Sequence, residues 1–211
     1  DPLTGQTMGL VNPNSIEEME VITAGAGAEF SRAQGGFARI LQKQGGNQFE
    51  GVFDMLYASS LFDGTGAADF DNTNDPDFTS IQPGLQISGP IVKDKVWYRL
   101  SHQWIAREIP TNTTTGIEVV DDEWSINADQ IDWQVSPRNK LTFSYQSDPR
   151  TITNFGVSST VNADSAQIRE TGSDVYQIKW TAPYSPKILI QSQVAYQQSN
   201  LGISPTDPSG V

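Results

Sequence analysis

Cysteine is absent from the 211 residues, and histidine occurs once, at His102. Without cysteine the chain can form neither a disulfide nor a thiolate metal site, and one imidazole cannot build a multi-histidine metal centre. Basic residues are also scarce: 13 Lys and Arg face 25 Asp and Glu, for a net charge of -12. Nucleic-acid binders and proteins that dock on anionic lipid headgroups need clustered positive charge. The composition therefore argues against both classes.

Long apolar runs are missing too, since no segment approaches the roughly 20 residues of a membrane helix. This does not exclude a membrane β-barrel, whose strands are only half apolar. No basic segment followed by an apolar segment comes after Asp1, so no signal peptide is predicted. Residues 204–211 have the Ser, Pro, Asp and Gly content of a loop. We therefore expect the sequence to be a fragment of a longer protein.

Strand-like alternation dominates the sequence after a Gly- and Ala-rich first region, residues 1–47. Apolar and polar residues alternate with period two in seven runs, at 49–57, 81–88, 96–107, 124–135, 140–146, 176–182 and 188–197. In the fourth run the apolar phase switches, and a bulge near Asp129 and Gln130 would reconcile the two halves. The sequence thus predicts an all-β, antiparallel fold.

The predicted connections alternate in length. Those at 90–95, 136–139 and 183–187 are short, whereas those at 59–79, 109–122 and 149–173 are long and polar. Short turns at one end and long loops at the other are typical of outer-membrane barrels.

Alternation alone cannot separate a membrane barrel from a soluble β-sandwich with aromatic residues in its core. Runs of about 9–11 residues match a tilted strand that crosses the bilayer. Aromatic side chains near both ends of the runs would form two interfacial girdles. They are Trp97, Tyr98, Trp133, Trp180 and Tyr184 near the short turns, and Tyr57, Trp104, Trp124 and Tyr196 toward the long loops. In a barrel the polar phase would face the lumen, with candidates Arg99, Gln103, Lys179, Gln191 and Gln193.

Three stretches carry a family resemblance. Residues 15–25 read SIEEMEVITAG and residues 28–36 read AEFSRAQGG; residues 37–51 read FARILQKQGGNQFEG; residues 85–98 read LQISGPIVKDKVWY. In this order they resemble the late plug, the plug–barrel junction and the first periplasmic turn of TonB-dependent outer-membrane receptors. The likeness is to their Oar-like (carboxypeptidase-regulatory-like), large-barrel branch. The chain departs from the usual pattern at Arg39, Gln42 and Gln44, and beyond about residue 108 only the strand–turn pattern is shared.

The resemblance implies a division of the chain and a set of signature residues. Residues 1–47 would be the C-terminal part of a plug domain, and residues 48–211 about seven strands of a transmembrane barrel that has twenty-two in the family. The plug signature would be Glu18, Glu20, Gly25, Glu29, Phe30, Arg32, Gly35, Gly36, Lys43, Gly45 and Gly46. The periplasmic turn would be Gly89, Pro90, Lys93 and Asp94.

The resemblance also implies a function, which is active import of a bulky substrate across a bacterial outer membrane. The partners would be outer-membrane lipid, an unknown extracellular substrate and the TonB–ExbB–ExbD system, reached through an N-terminal part outside this sequence. No cofactor and no enzyme activity are expected. An outer-membrane barrel with a structural or interaction role and no transport is the alternative.

Two features of the plug region have a physical interpretation. Gly25, Gly27, Gly35 and Gly36 would allow tight turns. The charged residues Glu17, Glu18, Glu20, Glu29 and Arg32 would either pair with the barrel or be simply solvated.

Weaker constellations do not indicate a metal or an active site. Asp69, Asp71, Asp75 and Asp77 alternate as Ca²⁺ ligands can, but an EF-hand loop needs Gly and Glu where Asn74 and Ser80 stand. A solvated acidic loop is therefore favoured. His102 lies mid-strand in the apolar phase, and the acidic run 121–123 has no identifiable partner carboxylate for glycoside hydrolysis.

Overall fold

The fold is built almost entirely from antiparallel strands, which confirms the predicted fold class. The computed structural model describes residues 13–22, 37–62 and 77–206. The strands are β1 (Ile16–Ile22), β2 (Phe37–Gln42), β3 (Glu50–Ser59), β4 (Thr79–Val92), β5 (Val96–Asn112), β6 (Ile117–Ser136), β7 (Asn139–Ser147), β8 (Arg150–Phe155), β9 (Gln167–Ser185) and β10 (Ile188–Pro205). Short 3-10 turns lie at Pro13–Ser15, Ser60–Phe62 and Ala163–Ser165. Within the described ranges no helix has the length and apolarity to cross a membrane.

Two sheets are present in the described part of the chain. β1 and β2 pair with each other, and the larger sheet has the order β10-β9-β7-β6-β5-β4-β3. β8 pairs with β6 and β9, the same two neighbours as β7. Each predicted run therefore corresponds to one strand of the larger sheet, and each strand lies beside the next along the chain.

β8 continues the line of β7 after a two-residue interruption. Asn127 of β6 pairs with Ser147 of β7, and Trp124 of β6 pairs with Arg150 of β8, so the register is unbroken. Pro149, which lies between them, has no N–H to donate to the ladder. Its carbonyl still accepts a hydrogen bond from the Ser125 N–H at 3.0 Å.

Two of the predicted long loops are largely strand, so those predictions are wrong. The connection predicted at 109–122 reduces to residues 113–116, and the one at 149–173 contains β8 and the start of β9. Both segments hold β-branched Ile, Val and Thr residues, which favour extended backbone even where the sequence is polar. The third long connection, 59–79, lies mostly outside the described residues.

The predicted bulge at Asp129 and Gln130 is also wrong. The β6–β7 register runs unchanged from Asn127 to Gln134, and the irregularity falls between Gln134 and Ser136, beside the turn. The apolar phase switches without a bulge because Ile126 and Ala128 lie on the same face as Gln130. Between residues 122 and 130 of β6, the buried residues lie on this face.

The larger sheet has two chemically distinct faces. The apolar face carries Tyr98, Ile131, Phe143, Ile178 and Val194, which are register partners across β5, β6, β7, β9 and β10. The polar face carries Arg99, Gln130, Ser144 and Gln177, partners in the adjacent row. Successive side chains on a strand point to opposite faces. Because residues in one cross-strand row share the same polarity, the alternation along single strands gives the whole sheet one apolar and one polar face.

Candidate functional site

The apolar face is exposed over most of its area. Phe53 is 69% exposed, Ile178 50% and Val194 71%. Further exposed members are Met55, Tyr57, Ile81, Leu85, Ile87, Trp104, Ile131, Trp133, Phe143, Tyr176, Trp180, Ile190 and Tyr196. In the described part of the chain no second sheet covers them, because β1 and β2 lie on the other side.

A row of tyrosines borders the apolar face away from the short turns. The rings of Tyr145 and Tyr176 are 4.9 Å apart and those of Tyr176 and Tyr196 are 6.5 Å apart. The Tyr145 hydroxyl donates to the Asp174 carboxylate at 2.7 Å. An aromatic body with its polar tip bonded to a charged group suits a boundary between apolar and aqueous surroundings.

His102 lies on the apolar face, as its phase predicts. Its Nε2 atom is 3.2 Å from the Asp129 carboxylate, and its ring is 5.7 Å from that of Trp104. The imidazole thus has one acidic neighbour and one aromatic neighbour.

The polar face is organised around Asp132, which is only 2% exposed. Its carboxylate accepts hydrogen bonds from Gln130 Nε2 and Thr142 Oγ1, each at 2.7 Å. Lys140 Nζ lies 3.0 Å from the same group. A buried carboxylate with three donors is well compensated for its lost hydration, so this network fixes β6 and β7 together.

The N-terminal segment, defined as residues 13–22 and 37–49, contacts the polar face. Gln44 Oε1 accepts from Lys140 Nζ at 2.8 Å, and Asn14 Nδ2 donates to Asp54 at 2.7 Å. Within the segment, the Lys43 N–H donates to the Ser15 carbonyl at 2.9 Å. Residues just before β1 and just after β2 thus bond to the polar face of the larger sheet.

Asn47 connects this segment to the first short turn. Its Oδ1 accepts from the Asp94 N–H at 2.9 Å and from Trp97 Nε1 at 2.6 Å, and its Nδ2 donates to the Asp94 carboxylate at 2.5 Å. Asp94 has φ of 58°, the left-handed conformation that Asp tolerates in turns. The turn and the end of the segment thus form one hydrogen-bonded unit.

A cavity of about 460 Å³ lies between β2 and the polar face. It is lined from the β2 side by Ile40, Leu41, Gln42 and Gln44, and from the sheet by Gln130, Lys140, Thr142, Ser144, Gln146, Gln177, Lys179, Thr181, Gln191 and Gln193. Three predicted lumen residues, Lys179, Gln191 and Gln193, are among them. Amide and hydroxyl groups dominate the lining, so the space suits water or a polar ligand.

Other residues singled out from the sequence are distributed as follows. Arg99 and Gln103 lie on the polar face; Gly89 and Pro90 are buried in β4, and Lys93 is exposed in the turn. Glu18 and Glu20 are exposed on β1. The ion pairs among described residues are His102–Asp129, Lys140–Asp132 and Arg150–Asp122, so neither glutamate takes part in one there.

Some predicted residues fall outside the described ranges. These are Gly25, Gly27, Glu29, Phe30, Arg32, Gly35 and Gly36 of the plug signature, and Asp69, Asp71 and Asp75 of the acidic loop. The fourth acidic residue, Asp77, accepts a hydrogen bond from Ser60 Oγ at 2.9 Å.

Two tryptophans assigned to the aromatic girdles lie on the polar face, so that assignment is wrong for them. Trp97 bonds to Asn47, and the Trp124 ring lies 4.6 Å under the Arg150 guanidinium. Nearness to a strand end does not determine which face a residue occupies, whereas its phase does.

One relative is found among curated proteins, the "TonB-dependent transporter Oar" of Myxococcus xanthus. It is 25% identical over 169 residues, an alignment that covers 74% of this chain and 15% of the relative. No family model and no solved structure matches. The chain therefore spans a small part of the length of a transporter to which it is similar, and this similarity is compatible with a protein that is not an enzyme.

Proposed function

We propose that residues 48–211 form part of the wall of a TonB-dependent transporter in a bacterial outer membrane. The apolar face contacts lipid, the polar face lines the lumen, and residues 1–47 are the end of the plug. The observation that carries this proposal is the two-faced sheet, on which one face exposes apolar side chains on every strand and the other holds the N-terminal segment.

The apolar face supports a lipid environment. Soluble monomers rarely expose contiguous apolar patches beyond a few hundred Å², and the exposed apolar residues here span all seven strand positions of the sheet. Strands β5, β6, β9 and β10 have 17 to 20 residues, more than the 9–11 or so that cross a bilayer. Their excess length would extend from the membrane on the side away from the short turns.

The sheet edges support a wider barrel. β3 and β10 each have one paired neighbour in the described part of the chain. Open strand edges are not tolerated in the hydrocarbon region, where each unpaired N–H or C=O costs several kcal/mol. Further strands of the whole protein would pair there, toward the twenty-two that the resemblance implies.

The segment on the polar face supports a plug that can move. Its bonds at Gln44–Lys140 and Asn14–Asp54 are polar and partly hydrated, and such bonds exchange for water at a net cost of only about 1 kcal/mol each. We expect a path to widen at the cavity beside β2 when TonB displaces the segment.

Binding to TonB tests this proposal without knowledge of the substrate. Calorimetric titration of the full-length receptor with the periplasmic domain of TonB is expected to show saturable one-to-one binding. The contrasting barrel with only a structural or interaction role would show no heat above dilution. The matched control is deletion of the receptor's extreme N-terminal region, because the resemblance implies that this region contacts TonB. The deletion should abolish the heat of binding.

A further inference from the structure

Three arginines and one buried carboxylate lie in two adjacent rows of the polar face, at the end away from the short turns. We call this cluster the arginine rim: Arg107 of β5, Arg150 of β8, Arg169 of β9 and Asp122 of β6, with Trp124 beneath. Four strands contribute to it, and its residues come together only through strand pairing.

The register places these side chains on one face. Arg107 and Ile152 are both cross-strand partners of Asp122, and Arg169 is the partner of Ile152. These four residues form one row across the sheet. Arg150 belongs to the next row, where it is the partner of Trp124 and Thr171.

One arginine satisfies the carboxylate of the rim. Arg150 Nε and Nη2 donate to the two oxygens of Asp122 at 2.7 and 2.9 Å, and its guanidinium lies over the Trp124 ring. Asp122 is 2% exposed, and the fork holds Arg150 in place. Among the described residues Asp122 forms no ion pair with Arg107 or Arg169.

Arg107 and Arg169 carry the surplus charge. Neither is in an ion pair among the described residues, and the Arg169 guanidinium is fixed 4.8 Å from the Phe155 ring. Asp148, another buried carboxylate, accepts from the N–H and hydroxyl of Ser173, each at 2.7 Å. The three arginines of the rim thus outnumber the two buried carboxylates near them, Asp122 and Asp148, in a chain with a strongly negative net charge.

The unmatched hydrogen-bonding groups of the rim are all donors. Arg107 Nε, Arg169 Nε and Trp124 Nε1 are buried without a partner. A desolvated donor without an acceptor is costly, by about 1–3 kcal/mol. A ligand rich in acceptors would remove that cost, and guanidinium forks match planar or tetrahedral oxyanions.

On the opposite face at the same level the side chains are acidic. Glu108, Asp121, Glu123 and Glu170 lie there in adjoining rows. An anion approaching this end of the sheet is therefore repelled by one face and attracted by the other. The charge separation directs negative groups to the rim.

We propose that the arginine rim binds an anionic group, a carboxylate, sulfate or phosphate, on the substrate at the outer entrance of the lumen. This inference deepens the proposed function and rests on it, because it takes the polar face as the lumen wall. It assigns the substrate to the anionic class and gives Arg107 and Arg169 the role of contact residues, with Arg150 held by Asp122 as support.

Binding of a polyanionic dye tests the rim. Pyranine, a pyrene trisulfonate, is titrated against the full-length receptor in detergent micelles and followed by fluorescence anisotropy. We expect saturable binding that weakens as salt is added, and at least tenfold weaker binding by the R107Q/R169Q variant. The R107K/R169K variant keeps the charge but loses the planar fork, so it should bind more tightly than R107Q/R169Q and more weakly than the wild type.

Control variants and competitors distinguish the sources of the effect. R138Q removes an exposed arginine in the short turn 137–138 and should bind like the wild type. Citrate, sulfate and phosphate are added as competitors, and the strongest of them identifies the preferred oxyanion. Each variant is checked for folding by its resistance to unfolding in cold detergent. If R107Q/R169Q does not fold, the single variant R107Q is used in its place.

Three results would overturn the inference. They are no saturable binding of pyranine by the wild type, an affinity of R107Q/R169Q equal to that of the wild type, or an affinity of R107K/R169K as low as that of R107Q/R169Q. A receptor that binds the TonB domain but not pyranine would keep the transport proposal and reject the rim. A receptor that binds pyranine through Arg107 and Arg169 but does not bind TonB would keep the rim and reject the transport proposal.

Discussion

Replacing Ile178 with lysine is expected to lower the free energy of unfolding in a lipid bilayer by about 2–4 kcal/mol. Ile178 lies on the apolar face between its cross-strand partners Phe143 and Val194. If this face contacts lipid, as proposed, an ammonium group there lies in hydrocarbon. Urea titration of the whole protein in lipid vesicles, followed by tryptophan fluorescence, measures the change.

The adjacent residue supplies the matched control. Gln177 lies on the polar face and lines the cavity beside β2, so Q177K would place the same charge in an aqueous space and should cost less than about 1 kcal/mol. Equal costs for I178K and Q177K would contradict the assignment of one face to lipid and the other to the lumen.

Replacing Gly45 with alanine is expected to displace the N-terminal segment from the sheet. A Cβ at this position would overlap the Tyr98 carbonyl oxygen and lie 3.1 Å from Trp97 Cβ. That carbonyl belongs to β5 and cannot retreat without disturbing its ladder, so the segment must move, at a cost of about 1–3 kcal/mol. Amide hydrogen exchange of residues 43–49 should rise, because the Gln44–Lys140 and Asn47–Asp94 bonds lie on either side of Gly45.

Gly46 is the control for this substitution because a Cβ there would meet nothing within 4 Å. The G46A variant should keep the wild-type exchange pattern and change the unfolding free energy by less than about 0.5 kcal/mol. If G45A exchanged no faster than G46A, the contact between the segment and β5 would not be the close one described.

Period-two alternation was enough to predict seven of the ten described strands and most of their faces. On β5, the assignment of Arg99 and Gln103 to one face and His102 to the other follows directly from phase, and the structure bears it out. The same rule failed for the extent of the strands, because alternation does not say where a strand stops. The segments 109–112 and 117–122 were expected to be loop and are instead an extended hairpin.

The switch of apolar phase in β6 has a simple physical origin. Near the short turn, Ile131 and Trp133 belong to the exposed apolar face, whereas farther along Ile126 is buried on the opposite face. The face that carries the apolar side chains therefore changes along the strand. Sequence alone offered a bulge as the explanation, since it contains no information on where the surroundings change.

The arginine rim could not have been predicted from the sequence. Arg107, Asp122, Arg150 and Arg169 are separated by 15 to 28 positions, and three of them lay in predicted loops. Only the register of β8 with β6 and β9 brings them together. Arg107 did stand in the polar phase of its run, which was the single signal available.

Site-directed spin labelling tests the lipid contact of the apolar face most directly. The chain has no cysteine, so one cysteine at a time can be introduced at positions 177, 178, 193 and 194 of the whole protein in lipid vesicles. Labels at 178 and 194 should be accessible to oxygen and shielded from a water-soluble nickel complex, and labels at 177 and 193 should show the reverse. Labels at 178 and 194 that neither reagent reaches would indicate a dry protein interior and contradict the membrane-spanning wall.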